Sequence, residues 1–296
     1  MNMKLLAGLA LVVAQCVAQL AAAAGGVAVP LDHWDERRAQ DKAALQNGAK
    51  LFANYCLGCH SANLMRWNRL REIGLSDKEI RDFLLPPGQK VGDLMTIAMK
   101  PADAKAWMGK APPDLSVITR ARTSFDYSGV DYLYTLLRGY YRDVSSPNGW
   151  NNTVYPNIGM PHILWERQGP REVTIEKIAE EVVLDAGGRP VKVGNSEQRA
   201  MFRTVSVYDA DGYATVTREQ LSGRPAARVE VTSRPADAAK ARQFDSDVAD
   251  LVAYLHFMTE PVRDDRIRIG VWVLLAIGLF TIIAWRLNAV YWKDVK

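Results

Sequence analysis

The sequence predicts a mainly α fold with a small β-hairpin-like insertion and one C-terminal transmembrane helix, and three observations predict it. Apolar residues recur at helical spacing on both sides of a Cys-x-x-Cys-His stretch at residues 56–60. Between residues 171 and 234 that spacing gives way to partial alternation rich in Val and Thr, broken by Gly-Gly and Asp-Gly pairs. From Ile269 to Trp285 the chain carries no charge.

The 296 residues, 48% apolar and 24% charged, suffice for one large domain or two smaller ones with a core. A formal charge of +4, spread along the chain, gives no electrostatic footprint for nucleic acid, so no such partner is expected. The sequence holds no Gly-rich phosphate loop and no internal repeat.

Taken in order, residues 1–24 read as a cleaved signal peptide. Lys4 supplies the positive start, "LLAGLALVVA" the apolar centre, and "QLAAAAG" the small residues that place cleavage after Ala23 or Ala24. The apolar centre is too short to serve as a membrane anchor. A lipid attached at Cys16 would need a smaller residue than Gln15 before it. Export leaves Cys56 and Cys59, too few for a disulfide framework.

The exported domain is expected over 25–262. "DKAALQNGAKLFANY" (41–55) has helical spacing, with Leu45, Phe52 and Tyr55 near one face, and runs straight into Cys56. A second helix is predicted over 130–141, after the Ser128–Gly129 turn. A third is predicted over 244–258, with Val248, Leu251, Val252 and Leu255 on one face and Asp245 or Ser246 as cap. Residues 171–234 read as a strand-rich insertion without any cluster of chemical interest, a surface elaboration or a docking face.

Residues 263–296 read as anchor and short tail. The uncharged run covers about 26 Å of a hydrocarbon core of about 30 Å, and snorkelling of Arg286 lets "LNAVYW" complete the span. Trp285, Tyr291 and Trp292 then lie near one interface. Arg263, Arg266 and Arg268 on one side balance Arg286, Lys293 and Lys296 on the other, so charge alone does not orient the helix. The export signal does: the body crosses the membrane, and "KDVK" stays on the cytoplasmic side.

Cysteines spaced as Cys56 and Cys59 serve zinc sites, thiol redox pairs and covalent haem. Zinc needs four ligands, and beyond His60 the chain offers only His33, His162 and His256, scattered along it. A thioredoxin-like pair follows a strand in an α/β pattern, whereas a helix leads into this one. Haem attachment uses all three residues: Cys56 and Cys59 bond the two vinyl groups, and His60 falls under the iron as an axial ligand. The domain is therefore expected to be a c-type cytochrome carrying one haem c. For the opposite face of the iron, position favours the stiff loop "YPNIGMPHIL", where both Met160 and His162 remain open.

Several stretches, in order, resemble cytochrome c1, the haem subunit of quinol–cytochrome c oxidoreductase. They are "CLGCHSANLMRWNRL" (56–70), "APPDLSVITRAR" (111–122), "DYLYTLLRGY" (131–140), "YPNIGMP" (155–161) and "DVADLVAYLHFMTEP" (247–261). The resemblance implies Met160 as the second axial ligand, since a thioether raises the potential relative to a second imidazole. It implies a propionate contact for Arg122, with Arg120 a weaker candidate, and a backbone carbonyl near Pro112 and Pro113 that fixes the His60 ring through Nδ1.

The implied partners are cytochrome b, the Rieske iron–sulfur subunit as donor and a cytochrome c as acceptor. The implied place is the bacterial inner membrane with the haem domain periplasmic, and catalysis belongs to the complex and not to this subunit alone. An anchored carrier of another respiratory chain, or a haem peroxidase, is the alternative. Residues 171–234 have no counterpart in the resemblance, and "SFDYSGV" (124–130) is longer than the corresponding turn.

Overall fold

A computed structural model describes residues 29–193 and 196–293. The expected signal peptide lies outside the described residues. The described residues divide into two compact units, one of 33–134 with 246–293, the other of 29–32 with 135–245.

In the first unit, α1 (Lys42–Leu51) begins at Asp41, whose carboxylate accepts from the Ala43 and Ala44 amides. It then widens into a π turn, Phe52–Cys56, closed by Leu57 N–H donating to Phe52 C=O at 3.0 Å. β1 (Ala62–Arg66) pairs antiparallel with β2 (Leu94–Met95). Three short helices belong to the same unit: α2 (Asp77–Phe83), started by a Ser76–Glu79 capping box, α3 (Pro101–Met108) and α4 (Ile118–Ala121). Next comes α5 (Gly129–Arg138).

The core of this unit forms where α1 meets the 246–259 part of a long helix. Leu45, Ala49 and Leu51 are buried from one side, and Val248, Leu251, Val252 and Leu255 from the other. Phe52 tilts on Tyr254 at 5.4 Å between ring centroids, and Trp34 donates its indole N–H to Ala249 C=O at 2.9 Å. Gly48 permits the approach: a Cβ there would lie 2.1 Å from Asp250 C=O.

The second unit opens with β3 (Tyr140–Arg142) paired to β4 (Trp150–Asn152), then a turn of helix, α6 (Trp165–Gln168). Its main feature is a four-stranded antiparallel sheet in the order β10–β5–β8–β9, made of β5 (Arg171–Val182), β8 (Arg199–Tyr208), β9 (Ala214–Gln220) and β10 (Arg228–Pro235). The two-residue strands β6 (Lys192–Val193) and β7 (Ser196–Glu197) pair beside it in sequence. Val173, Ile178, Ala179, Met201, Phe202 and Val229 are its buried side chains. Glu176 binds Arg203 on one face of the sheet and Glu181 binds Arg218 on the other, each at 3.0 Å. The expected turns are present: Asp209 caps the Asp211–Gly212 turn, and Asp185 the Gly187–Gly188 turn.

Three expectations need correction. With 42% helix and 21% strand the fold is not simply mainly α, because the stretch read as a hairpin-like insertion builds a full sheet with a twelve-residue central strand. The helix expected over 244–258 is α7 (Ala238–Thr259), capped by Asp237 and not by Asp245 or Ser246. Its first turns are polar and exposed, so apolar spacing did not mark them. The helix expected to reach residue 141 stops at Arg138, because Tyr140–Arg142 pair with β4 as β3; Gly139 lets the chain turn there, where a Cβ would stand 2.6 Å from Thr153 Oγ1.

The last element is α8 (Arg263–Trp292), of which Asp265–Trp292 is long and apolar enough to cross a bilayer, its apolar stretch unburied. At its base Glu260 is held between Arg120 and Arg266. Burial pushes the Glu260 carboxyl up, but the two guanidinium groups outweigh it and keep it below the usual range.

Candidate haem site

The π turn delivers Cys56 to a tight loop in which Cys59 N–H and His60 N–H both donate to Cys56 C=O, at 3.1 and 2.9 Å. Neither cysteine is in a disulfide; Cys59 is exposed and Cys56 half-buried. Burial, then the nearby Cys59, pushes the Cys56 thiol up to about 12, so before any modification it is a neutral thiol.

His60 Nδ1 lies 2.7 Å from Pro113 C=O. A carbonyl only accepts, so Nδ1 carries the proton and the lone pair sits on Nε2, the form an imidazole needs to ligate a metal. Burial lowers the His60 pKa more than Pro113 and Asp114 raise it, which keeps the ring neutral.

Asp114 joins the two stretches. Its carboxylate accepts from Ser61 Oγ at 2.9 Å, Asn63 N–H at 2.7 Å and Ser116 N–H at 2.8 Å. Leu115 N–H adds a bond to Ser61 C=O at 2.8 Å, and Ser116 Oγ accepts from Leu64 N–H at 3.0 Å. These bonds stitch the Cys-x-x-Cys-His turn to the Pro-Pro-Asp-Leu-Ser block. The sequence points to the prolines but does not single out Asp114. An Asp two positions before a Ser, each accepting from backbone N–H groups, is the available signal.

Arg120 is paired to Glu260. Arg122 is exposed, with its guanidinium 5.9 Å from the centroid of the Tyr132 ring.

In the second unit, Met160 is half-buried in an irregular loop, and Tyr140 Oη donates to its backbone carbonyl at 3.2 Å. His162, two residues on, is only 3% exposed. Its ring stacks on Tyr140 at 4.6 Å and 7°, with Trp150 and Phe244 edge-on. Burial, then the charge of Arg171, pushes its pKa down to about 3. Met65, Met95, Met201 and Met258 are buried side chains of the two cores.

Two thiols on one tight turn, with an imidazole behind them whose Nε2 is free and whose other nitrogen is pinned, suit covalent haem and define a c-type cytochrome. Comparison with known proteins narrows the class. A model of the Cytochrome C1 family matches residues 33–86 and 87–183. A cytochrome c1 of Allochromatium vinosum is 35% identical over 86% of this chain and 86% of its own. A protein named ammonia monooxygenase gamma subunit, from Nitrosomonas europaea, is 36% identical over 96% of this chain and 97% of its own. A cytochrome c1 of Rhodospirillum rubrum is 27% identical over 92% and 90%. The chain belongs to the cytochrome c1 family, electron-transport proteins whose cofactor is covalently attached haem c.

Proposed function

We propose that this chain is the anchored cytochrome of a quinol–cytochrome c oxidoreductase, taking single electrons from a Rieske iron–sulfur subunit and passing them to a cytochrome c. The observation that carries it is the His60 imidazole, fixed by Pro113 C=O beside two available thiols in a chain of this family. When bound, haem supplies a one-electron ferric/ferrous couple. Cys56 and Cys59 would tether it, and the His60 imidazole would ligate its iron.

The Met160 thioether would supply the second iron ligand. The choice over His162 is supported by burial: His162 is packed among three aromatic rings, while Met160 sits half-exposed on a loop. A thioether there holds the potential high enough for an acceptor downstream of an iron–sulfur centre. Arg122 faces a haem propionate in this reading, since Arg120 is already engaged by Glu260. The haem domain lies on the periplasmic side of a bacterial inner membrane, α8 spans it, and cytochrome b is the neighbour that oxidises quinol.

Reduced-minus-oxidised spectra and redox titration test the ligand. Met160→Leu loses the wild-type low-spin spectrum and lowers the potential, and Arg122→Ala lowers the potential to a smaller degree. A Met160→Leu protein with unchanged spectrum and potential would show that the ligand lies elsewhere. Co-purification tests the assembly: cytochrome b and a Rieske protein elute with the chain. A second reading, an anchored carrier serving a different oxidoreductase, is favoured by the relative whose name attaches it to a monooxygenase. Elution with such subunits, and without cytochrome b, selects it.

A further inference from the structure

The stretch "NGWNNTVYPN" places four asparagines, Asn148, Asn151, Asn152 and Asn157, within ten residues of the loop that carries Met160. Three of their side chains act as backbone for a loop that has no regular structure. Asn151 Oδ1 accepts from the Asn152 and Asn157 amides, each at 2.8 Å. Asn152 Oδ1 accepts from Val154 N–H at 2.9 Å and Tyr155 N–H at 3.1 Å, and its amide donates to Leu136 C=O at 2.8 Å. Asn148 Nδ2 donates to Ile158 C=O and Gly159 C=O, both at 3.3 Å. Carboxamides and Tyr140 thus hold the backbone at intervals all the way from Asn152 to Met160.

Asn157 is the one non-glycine residue with a left-handed backbone among the described residues, at φ 59. That conformation is uncommon outside glycine, and Asn tolerates it best. It lies three residues before Met160, and Asn151 holds its amide. Asn151 is itself aimed by Asp143, whose Oδ2 accepts from Asn151 Nδ2 at 2.9 Å and whose Oδ1 accepts from Ser145 N–H at 3.0 Å and Ser145 Oγ at 2.6 Å. Asp143 is 4% exposed, Asn151 8% and Asn152 fully buried. Such a network is worth most when every member is satisfied, and it tolerates the loss of one poorly.

We propose that Asp143 and Asn151 are positioning residues for the sixth haem ligand: through the left-handed turn at Asn157 they hold the Met160 loop in its ligating form. The inference rests on Met160 being that ligand. It assigns the Asp143–Asn151 bond a role in the redox potential and in closing the iron to outside ligands, beyond any role in folding.

The experiment is a redox titration and an azide-binding measurement on the intact ferric cytochrome. The set is wild type, Asn151→Ala, Asp143→Asn, the exchanged pair Asp143→Asn with Asn151→Asp, and Met160→Leu. Each single network variant keeps its covalent haem but shows a lowered potential and azide binding faster by about tenfold, the scale of one lost buried hydrogen bond. The exchanged pair restores a donor facing an acceptor and recovers most of both losses. Wild-type potential and azide rate in both single variants overturn the proposal. So does an exchanged pair that folds but stays as impaired as the single variants, since the bond itself would then not matter. If a single variant fails to fold, the exchanged pair against wild type still decides. Met160→Leu separates the two layers: if it changes nothing, the ligand assignment has failed, and if it alone changes potential and azide rate, only the positioning role has failed.

Discussion

At the residue scale the site depends on which atom of each side chain is already occupied. Pro113 C=O accepts the hydrogen bond from His60 Nδ1–H and so leaves the lone pair on Nε2, the form that can ligate a metal. Asp114 holds the Pro-Pro segment against the attachment turn, so it acts on His60 through the backbone. Burial alone would raise its carboxyl, but the bonds from Ser116, Asn63 and Ser61 prevail and hold it below the usual range. With the lower pKa in the folded form, its contribution is full above the unfolded value of about 3.9 and is lost as pH falls through the folded value beneath it. Asp114→Ala is expected to cost about 2 kcal/mol at neutral pH, measured by denaturant unfolding of the haem-loaded protein. The wild type should lose stability more steeply than this variant between about pH 5 and about pH 2. Parallel acid titrations of the two would show that Asp114 is not the linked group.

At the element scale, the widening of α1 into a π turn and its approach to α7 bring Cys56 to its place. A π turn inserts a residue into the helical repeat and rotates the chain beyond it. The approach depends on Gly48, where the nearest obstacle to a Cβ is the rigid Asp250 carbonyl and not a side chain that can swing away. Gly48→Ala should therefore destabilise the protein by about 3 kcal/mol or more despite the better helix propensity of alanine, seen as a lowered Tm. A rise in Tm would mean that the two helices have slack. At the other end of α7, Glu260 ties α4 and the base of α8 together through Arg120 and Arg266.

At the scale of the whole molecule, the composition of α8 contrasts with everything before it. Its side chains from Ile267 to Trp292 are nearly all exposed, and among them Trp272, Leu274, Phe280 and Trp285 are each about two-thirds bare or more. That surface is unstable in water and stable in lipid. A chain ending after Glu260 is expected to partition into the aqueous phase without detergent while keeping the wild-type haem spectrum, whereas the full chain partitions with membranes. Retention of the shortened chain in the membrane fraction would place the attachment elsewhere. The sheet of β5, β8, β9 and β10 is as large a departure from a helical cytochrome as the anchor, and β9 is exposed along its whole length.

Local chemistry made much of this protein legible in its sequence alone. Cys56, Cys59 and His60 point to covalent haem because their spacing matches what that cofactor requires, and the run from Ile269 to Trp285 points to a membrane because a bilayer has a fixed thickness. The Asp-Gly and Gly-Gly turns of the sheet were readable for the same local reason. The extent of the sheet was not, since strand pairing joins residues such as Val173 and Tyr208 that no short window contains. Position in the chain left Met160 and His162 both open, and the resemblance implied Met160; what tertiary structure adds is that Tyr140, Trp150 and Phe244 pack around the His162 imidazole while Met160 stands half-exposed. The roles of Asp114, Asp143 and Asn151 are of this kind too: each is an ordinary polar residue until the fold shows which backbone groups it holds.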